Sequence, residues 1–280
     1  MIEQLRTEYT ISRLCQCLGA SRSGYYAWRT RKPSERTRRH LSLLKLIVKS
    51  FQTSKQTYGY PRVHADLASW GEVIGRHQVA GLMRAHGLVA KMKRKHSGHS
   101  RMRRLFNAEA DRIGRCPDSH EQGSIWVADI TQINTAKNSF FLAAVMDKFS
   151  RRLIGLAMGK HRNSALVCRA LNNAFNQCPD AQVTLVHSDQ GVEYNSYRYR
   201  NMLKDKNIER SISRKGNCYD NAHMESFFHS LKTEMIYFQN FISANIGMKK
   251  VREYIQYYNN KRRHSSLGYL SPVQFETAVG

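Results

Sequence analysis

At 280 residues the chain can bury one good core and still carry a smaller accessory unit, because most single cores lie near roughly 100 to 200 residues. Lys and Arg number 45 against 21 Asp and Glu, and a net charge of +24 repels itself in a compact fold unless an anion compensates it, so a polyanion is the natural partner. No stretch approaches the roughly 18 apolar residues of a spanning helix, and the start MIEQLRTEYT lacks a signal-peptide core, which excludes a membrane role and predicts a soluble intracellular protein.

The first elements read as helices. Residues 10–29, TISRLCQCLGASRSGYYAWR, set Ile11, Leu14 and Leu18 at helical spacing, break at Gly19 and restart after Ser21, which can cap a second helix. HLSLLKLIVKSF predicts a further helix with Leu41, Leu44, Val48 and Phe51 on one face. In YGYPRVHADLASWGEVIGRHQVAGLMRAHGL, Pro61 suits a first helical turn and Gly71 interrupts. Val79, Leu82 and Met83 then form an apolar face, and Gly87 suits a C-terminal stop. The outer face of this pair carries Arg62, Arg76, His77 and Arg84. A packed helical hairpin with a solvated basic face explains each pair on pattern alone. Residues 1–120 nevertheless hold 24 basic and 8 acidic groups, and that excess points to DNA. Residues 91–115 have little apolar content and many cations, Lys91, Lys93 and Arg94 among them, and read as a basic linker that tracks phosphates.

After Ser124 the pattern changes to alternating and β-branched residues. IWVADITQINT, NSFFLAAVMDKF and RRLIGLAMG predict three antiparallel strands joined by short turns. SALVCRALNNAFNQC is helical, QVTLVHSD is a short buried strand ending at Asp189, residues 196–206 form another helix, and IERSIS is a fifth strand. The order βββαβαβ followed by a helix gives a mixed sheet flanked by helices, an α/β class.

Three acids stand where this sheet should meet solvent. Asp129 interrupts an apolar strand, a costly place for a carboxylate unless a cation neutralises it. Asp189 follows a strand's carboxyl end, the edge of α/β sheets where ligands bind. Glu225 lies near the start of NAHMESFFHSLKTEMI. At about 100° per residue Lys232 and Asn221 share its polar line, while Met224, Phe227, Phe228, Leu231 and Met235 form a separate apolar stripe. Cutting a phosphodiester requires an oxygen nucleophile, in-line geometry and neutralisation of developing charge, all of which two magnesium ions supply. Hard cations prefer carboxylate oxygens, so Asp129, Asp189 and Glu225 are the expected metal ligands and catalytic residues, with Asp129 bridging both ions.

WVADIT, VHSDQG and DNAHMES, with Lys232 following, resemble the three signature segments of the retroviral-integrase superfamily, whose ribonuclease-H-like domain carries a D,D,35,E triad. Here 35 residues separate Asp189 from Glu225. Within the superfamily the chain most resembles the integrase-like product of the second reading frame of bacterial insertion sequences that make their transposase by translational frameshifting. YGYPRV, GLMRAHGL, SRKGNCYDNAHMESFFHSLKTE and YYNNKRRHSSLGYLSP extend the likeness over residues 57–277. The resemblance implies a DNA transposase of the bacterial cytoplasm that depends on Mg²⁺, or Mn²⁺ as substitute. Such an enzyme nicks transposon ends and transfers the freed 3′ hydroxyl to another phosphodiester. It also implies double-stranded DNA as partner, a homo-oligomer on that DNA, and Lys232 near the scissile phosphate. The chain begins without the coiled-coil segment of the first reading frame, so the upstream-frame product is expected as fusion or partner.

The expected organisation is a helical helix-turn-helix region over 1–55, a second helix-turn-helix over 56–90 and a basic linker over 91–120. A ribonuclease-H-like catalytic core over 121–240 and a basic helical tail over 241–280 complete it. DNA contacts are expected from Arg62, Arg76, Arg84, Lys91, Lys93, Arg94, Arg214, Lys215, Lys232, Arg262 and Arg263. Tyr257, Tyr258, Asn259, Arg262, Arg263 and His264 fit either a DNA-gripping cluster or a packed tail. Among the other acids, Asp147 reads as a turn residue, Asp220 as an N-cap, and Glu193 and Glu234 as solvated. Ser188 lacks a nucleophile-elbow context, and Cys15, Cys17 and His40 lack zinc-ligand spacing; all six cysteines are expected as free thiols. The rival from another class is a non-catalytic DNA-binding repressor on a decayed integrase fold, and a third reading is a nuclease that hydrolyses without joining.

Overall fold

A computed structural model describes residues 1–91, 121–213 and 221–279. Short helices come first: α1 (Ile2–Leu5), α2 (Ile11–Cys17) and α3 (Arg22–Thr30) precede the long α4 (Glu35–Thr53), then α5 (Tyr60–Ser69) and α6 (Arg76–Ala85). The chain turns between α2 and α3 at Gly19, whose φ of +65° is a left-handed conformation open to glycine. Ser21 then accepts a hydrogen bond from the Gly24 amide at 3.0 Å, satisfying a donor that the first turn of α3 leaves unpaired.

The long helix α4 buries Phe51 of the face its spacing predicted but otherwise turns a neighbouring stripe inward. Leu43, Ile47 and Phe51 are buried against Val63, Leu67, Val79 and Met83, while Leu41 is exposed and Leu44 and Val48 are half-buried. Both stripes of α4 are apolar, so its neighbours decide. The side that meets α5 and α6 includes Ser50, whose hydroxyl donates to Asp66 on α5 at 2.5 Å.

The second part of the chain is built on a sheet. Strands β1 (Ile125–Asn134), β2 (Ser139–Asp147) and β3 (Leu153–Gly159) form an antiparallel meander. Helix α7 (Ser164–Gln177) then returns the chain to β4 (Leu185–Ser188), and α8 (Tyr197–Lys204) leads to β5 (Glu209–Ile212). The order is β3-β2-β1-β4-β5, with β4 parallel to β1 and β5 parallel to β4. Helices α9 (Ala222–Glu234), α10 (Ala244–Asn260) and α11 (Pro272–Val279) complete the element order.

Central strand β1 is buried on both faces, which is why IWVAD reads as a nearly continuous apolar run. Val127 joins Leu142, Ala144 and Leu153 against α9 and α10. Trp126 and Ala128 face the other way, toward Leu166, Ala170, Leu171 and Ala174 of α7. That packing is close enough to require Gly155 on β3, where a Cβ would lie 2.3 Å from the Ala170 carbonyl oxygen. At the end of α10, Asn259 accepts from the Leu153 amide at 3.0 Å and donates to its carbonyl at 2.9 Å, covering part of the β3 edge.

Three sequence expectations fail where the helical unit meets this core. Glu234, expected in solvent, has a side chain only 3% exposed. It accepts from Arg262 at 2.6 and 2.9 Å and from the Tyr254 hydroxyl at 2.8 Å, and Arg62 lies 3.8 Å away. Arg262, expected on DNA, is therefore buried, because it compensates the carboxylate at the end of α9. Arg263, also expected on DNA, pairs instead with Asp66 at 2.5 Å and donates to Ser69 at 2.6 Å, both on α5. Tyr258 and His264 are buried beside Arg262 with ring centroids 4.7 Å apart, so the aromatic and basic cluster is a packed junction.

Burial by itself would raise the Glu234 carboxyl, but hydrogen bonding and charge from Arg262 hold it below the usual carboxylate range. Glu234→Ala would strand Arg262 and Arg62 without their anion. We expect that change to cost on the order of 3–5 kcal/mol in urea unfolding, whereas Glu253→Ala, in the exposed pair with Lys250, leaves the midpoint where it is.

Candidate active site

Strand register brings two of the three acids together. Ala128 of β1 is paired with Ser188 of the parallel β4, so Asp129 and Asp189 are the next residues along two neighbouring strands. The third comes from α9, whose start is tied to β1: buried Asn221 donates from Nδ2 to the Ala128 carbonyl at 3.1 Å. Glu225 follows one turn later. The stripe of Met224, Phe227, Phe228, Leu231 and Met235 is buried as the helical wheel required, leaving Glu225 and Lys232 half-buried on the other side.

Asp129 registers the company of the others. Burial, followed by repulsion from Asp189 and Glu225, pushes its carboxyl from 3.8 up to about 7, against the opposing pull of the Ile130 amide and the Arg162 charge. Its Oδ1 accepts from that amide at 2.7 Å, and Asp189 Oδ1 accepts from the Gly191 amide at 2.9 Å. Among the described residues no group of three His, Cys, Asp or Glu side chains is close enough together to hold a metal ion. The donor set itself suits a hard divalent cation, being all carboxylate oxygen from three separate elements.

A second charged pair borders the acids, and sequence reasoning missed it. Glu193, expected in solvent, is buried because its carboxylate faces Arg162, accepting from Nε at 2.7 Å. Burial opposes the Arg162 charge, but Glu193, Asp189 and Asp129 outweigh it and hold the guanidinium above its usual range. Nothing in the local pattern of GKHRNS or DQGVEY marks either residue, since their pairing joins segments 31 residues apart. Tyr194 is also buried here, and its hydroxyl has no hydrogen-bond partner among the described residues.

The competing chemistries lose their geometry. Ser188 is fully buried, and His187 directs Nδ1 and Nε2 to the hydroxyls of Ser211 and Ser213 at 2.9 and 3.0 Å. Cys15 is buried in the small helical core while Cys17 is exposed, both as free thiols. Asp147 is the turn residue its position predicted, accepting from the amide of Ser150 at 3.2 Å and its hydroxyl at 2.8 Å. Asp220 lies outside the described residues, as do Lys93, Arg94, Arg214 and Lys215. Of the expected DNA contacts, Arg76, Arg84 and Lys91 are exposed, whereas Arg62 turns partly inward to Glu234.

Comparison with known proteins bears on these features. The integrase core domain family matches residues 119–218 and, through a second description of the same name, residues 225–279. An HTH-like domain family matches residues 38–96. The chain is 37% identical over 278 residues to transposase InsF for insertion sequence IS3A of Escherichia coli K12, covering 98% of this chain and 96% of that one. It is 35% identical over 264 residues to an uncharacterized 31 kDa protein of insertion element IS600 from Shigella sonnei, covering 94% and 97%. Among solved structures, a chain of the simian T-cell lymphotropic virus intasome shares the fold with a TM-score of 0.50 at 16% identity, covering 75% of this chain and 69% of that one. No helix of the described residues is long and apolar enough to cross a membrane.

The raised Asp129 value has a sign that stability measurements can read. Because the folded protein binds this proton more tightly than the unfolded chain, stability falls as pH climbs from about 4 to about 7, by at most roughly 1.4 kcal/mol per unit, and the loss is complete above that window. Asp129→Asn should remove this slope, so that urea midpoints at pH 5 and pH 8 draw together; an unchanged slope would assign the effect elsewhere.

Proposed function

Because the chain belongs to the insertion-sequence transposases that carry an integrase core domain, we propose that it nicks transposon ends and joins the freed 3′ hydroxyl to another DNA phosphodiester, with Asp129, Asp189 and Glu225 holding two Mg²⁺ ions or Mn²⁺ in their place. The supporting observation is the register of β1 with β4 that sets Asp129 beside Asp189, with the start of α9 docked on β1 by Asn221, and the neighbouring negative charge that raises Asp129, which a divalent cation would relieve. When bound, such ions activate the attacking oxygen and neutralise charge on the phosphate and leaving oxygen. The protein's own part is to orient the ligands. Asp129, midway along the central strand, would be the ligand shared by both ions, with Asp189 and Glu225 each holding one.

Lys232 shares the half-buried polar line of α9 with Glu225 and would take a phosphate. Arg76, Arg84 and Lys91 present exposed charge on and after α6, the second helix of the helix-turn-helix region proposed over 56–90. Lys93, Arg94, Arg214 and Lys215 would add phosphate contacts, and Arg62 would do so only from its partly buried place. Residues 1–55 would form a further helical DNA-binding region, 91–120 a basic linker, 121–240 the catalytic core and 241–280 a tail packed on it. Assembly as a homo-oligomer on two DNA ends, with the upstream-frame product as fusion or partner, completes the reading.

Asp129→Asn, Asp189→Asn and Glu225→Gln are each expected to abolish magnesium-dependent nicking and joining of a transposon-end duplex, with gel-shift affinity held to within about twofold. Retained strand transfer in any one of them removes it from the metal site. A repressor would shift the duplex and never nick it, and a plain nuclease would nick without joined products. Lys232→Ala should weaken end binding and reduce the slope of log affinity against log salt by roughly one unit.

A further inference from the structure

We propose that Glu193 parks the Arg162 guanidinium beside the Asp129 and Asp189 pair rather than on it, which keeps the cation site open and makes Arg162 a further DNA-contacting residue of the active site. The inference rests on the metal-assisted reaction proposed above. Glu193 has a side chain only 5% exposed, and both its oxygens face Arg162, from Nε at 2.7 Å and Nη2 at 3.4 Å. A carboxylate this buried requires a paired cation, and among the described residues Arg162 forms its ion pair with Glu193 alone.

Gly191 makes this closeness available. A Cβ at that position would lie 2.6 Å from Glu193 Oε2, 2.9 Å from Asp189 Oδ1 and 3.3 Å from Arg162 Nη2. Two carboxylates and a guanidinium therefore surround one point that only a glycine hydrogen leaves free. The guanidinium sits near Asp189 Oδ1, an oxygen the proposed cation would use, and its ion pair is with Glu193 instead of with that oxygen. With the Glu193 charge removed, Coulomb attraction in a partly buried setting draws Arg162 onto Asp189 and Asp129, where it competes with a divalent ion for the same oxygens.

The other edge of the guanidinium is turned outward. The Arg162 side chain is 44% exposed, and among the described residues its Nη1 donates to nothing. An arginine fork held along one edge by a carboxylate offers its remaining donors to a second planar or tetrahedral oxyanion, and the DNA phosphate is the anion this reaction supplies. A purely structural pair, linking the segment before α7 to the segment after β4, would affect folding while leaving both metal affinity and phosphate contact unchanged.

Calorimetric titration of the full, DNA-free chain with Mn²⁺ separates these roles. Glu193→Gln is expected to weaken Mn²⁺ binding about tenfold and Arg162→Ala to tighten it about threefold, with the double variant returning to within about twofold of Arg162→Ala. Wild-type Mn²⁺ affinity in a folded Glu193→Gln protein overturns the proposal. Should circular dichroism show that variant unfolded, Arg162→Ala carries the test, and unchanged or weaker Mn²⁺ binding overturns it. No uptake of Mn²⁺ by the wild-type chain instead overturns the metal-assisted reading beneath it. In single-turnover joining at saturating Mn²⁺, Arg162→Ala should lose about a hundredfold in rate and Arg162→Lys recover part of it; an unchanged rate in Arg162→Ala denies the phosphate contact.

Discussion

A carboxylate midway along a central strand that is covered on both faces is the constraint from which the rest of this molecule follows. Asp129 cannot be well solvated, because α7 covers one face of β1 and α9 with α10 cover the other. Asp189 and Glu225 then place further negative charge beside it. An arrangement of this kind lowers stability by itself and is kept where something cationic completes it. The features around it all serve that meeting: the Ala128 and Ser188 register, the Asn221 bond to β1, and the missing side chain at Gly191.

The large positive charge of the chain is spent in three physically distinct ways. Arg262 and Arg263 are internal, compensating Glu234 and Asp66 where two units of structure meet. Arg162 is intermediate, with one edge in a buried ion pair and one in solvent. Arg76, Arg84 and Lys91 are exposed and free to answer to a polyanion. Composition alone cannot separate these groups, since an arginine counts equally toward net charge wherever it lies.

Much of the architecture was legible in the chain because periodicity encodes it locally. The meander, the helix after it and the two short parallel strands all occur where alternation and helical spacing placed them, and the wheel of α9 separated Glu225 from its buried stripe correctly. The three acids stood out for separate local reasons: Asp129 as a charge inside an apolar run, Asp189 at a strand's carboxyl end, and Glu225 on the polar line of an amphipathic helix. What escaped was everything decided by distant partners. Glu193 and Glu234 looked like ordinary surface acids, and their burial depends on arginines 31 and 28 residues away in sequence. The inward face of α4 was misjudged for the same reason, since two apolar stripes on one helix leave the choice to whatever packs against it. Asn221 was seen on the polar line of α9, but its bond to Ala128 spans 93 residues and has no local signature.

Helix α9 is fastened at both ends. Asn221 ties its beginning to the strand that carries Asp129, and Glu234 ties its last residue to Arg262, with Arg62 of α5 close by. At 1.5 Å per residue its 13 residues form a strut roughly 20 Å long. Glu234 is therefore the point where α5 meets the helix that carries Glu225. That helix is thus held from two directions, by the sheet at its start and by the helical unit at its end.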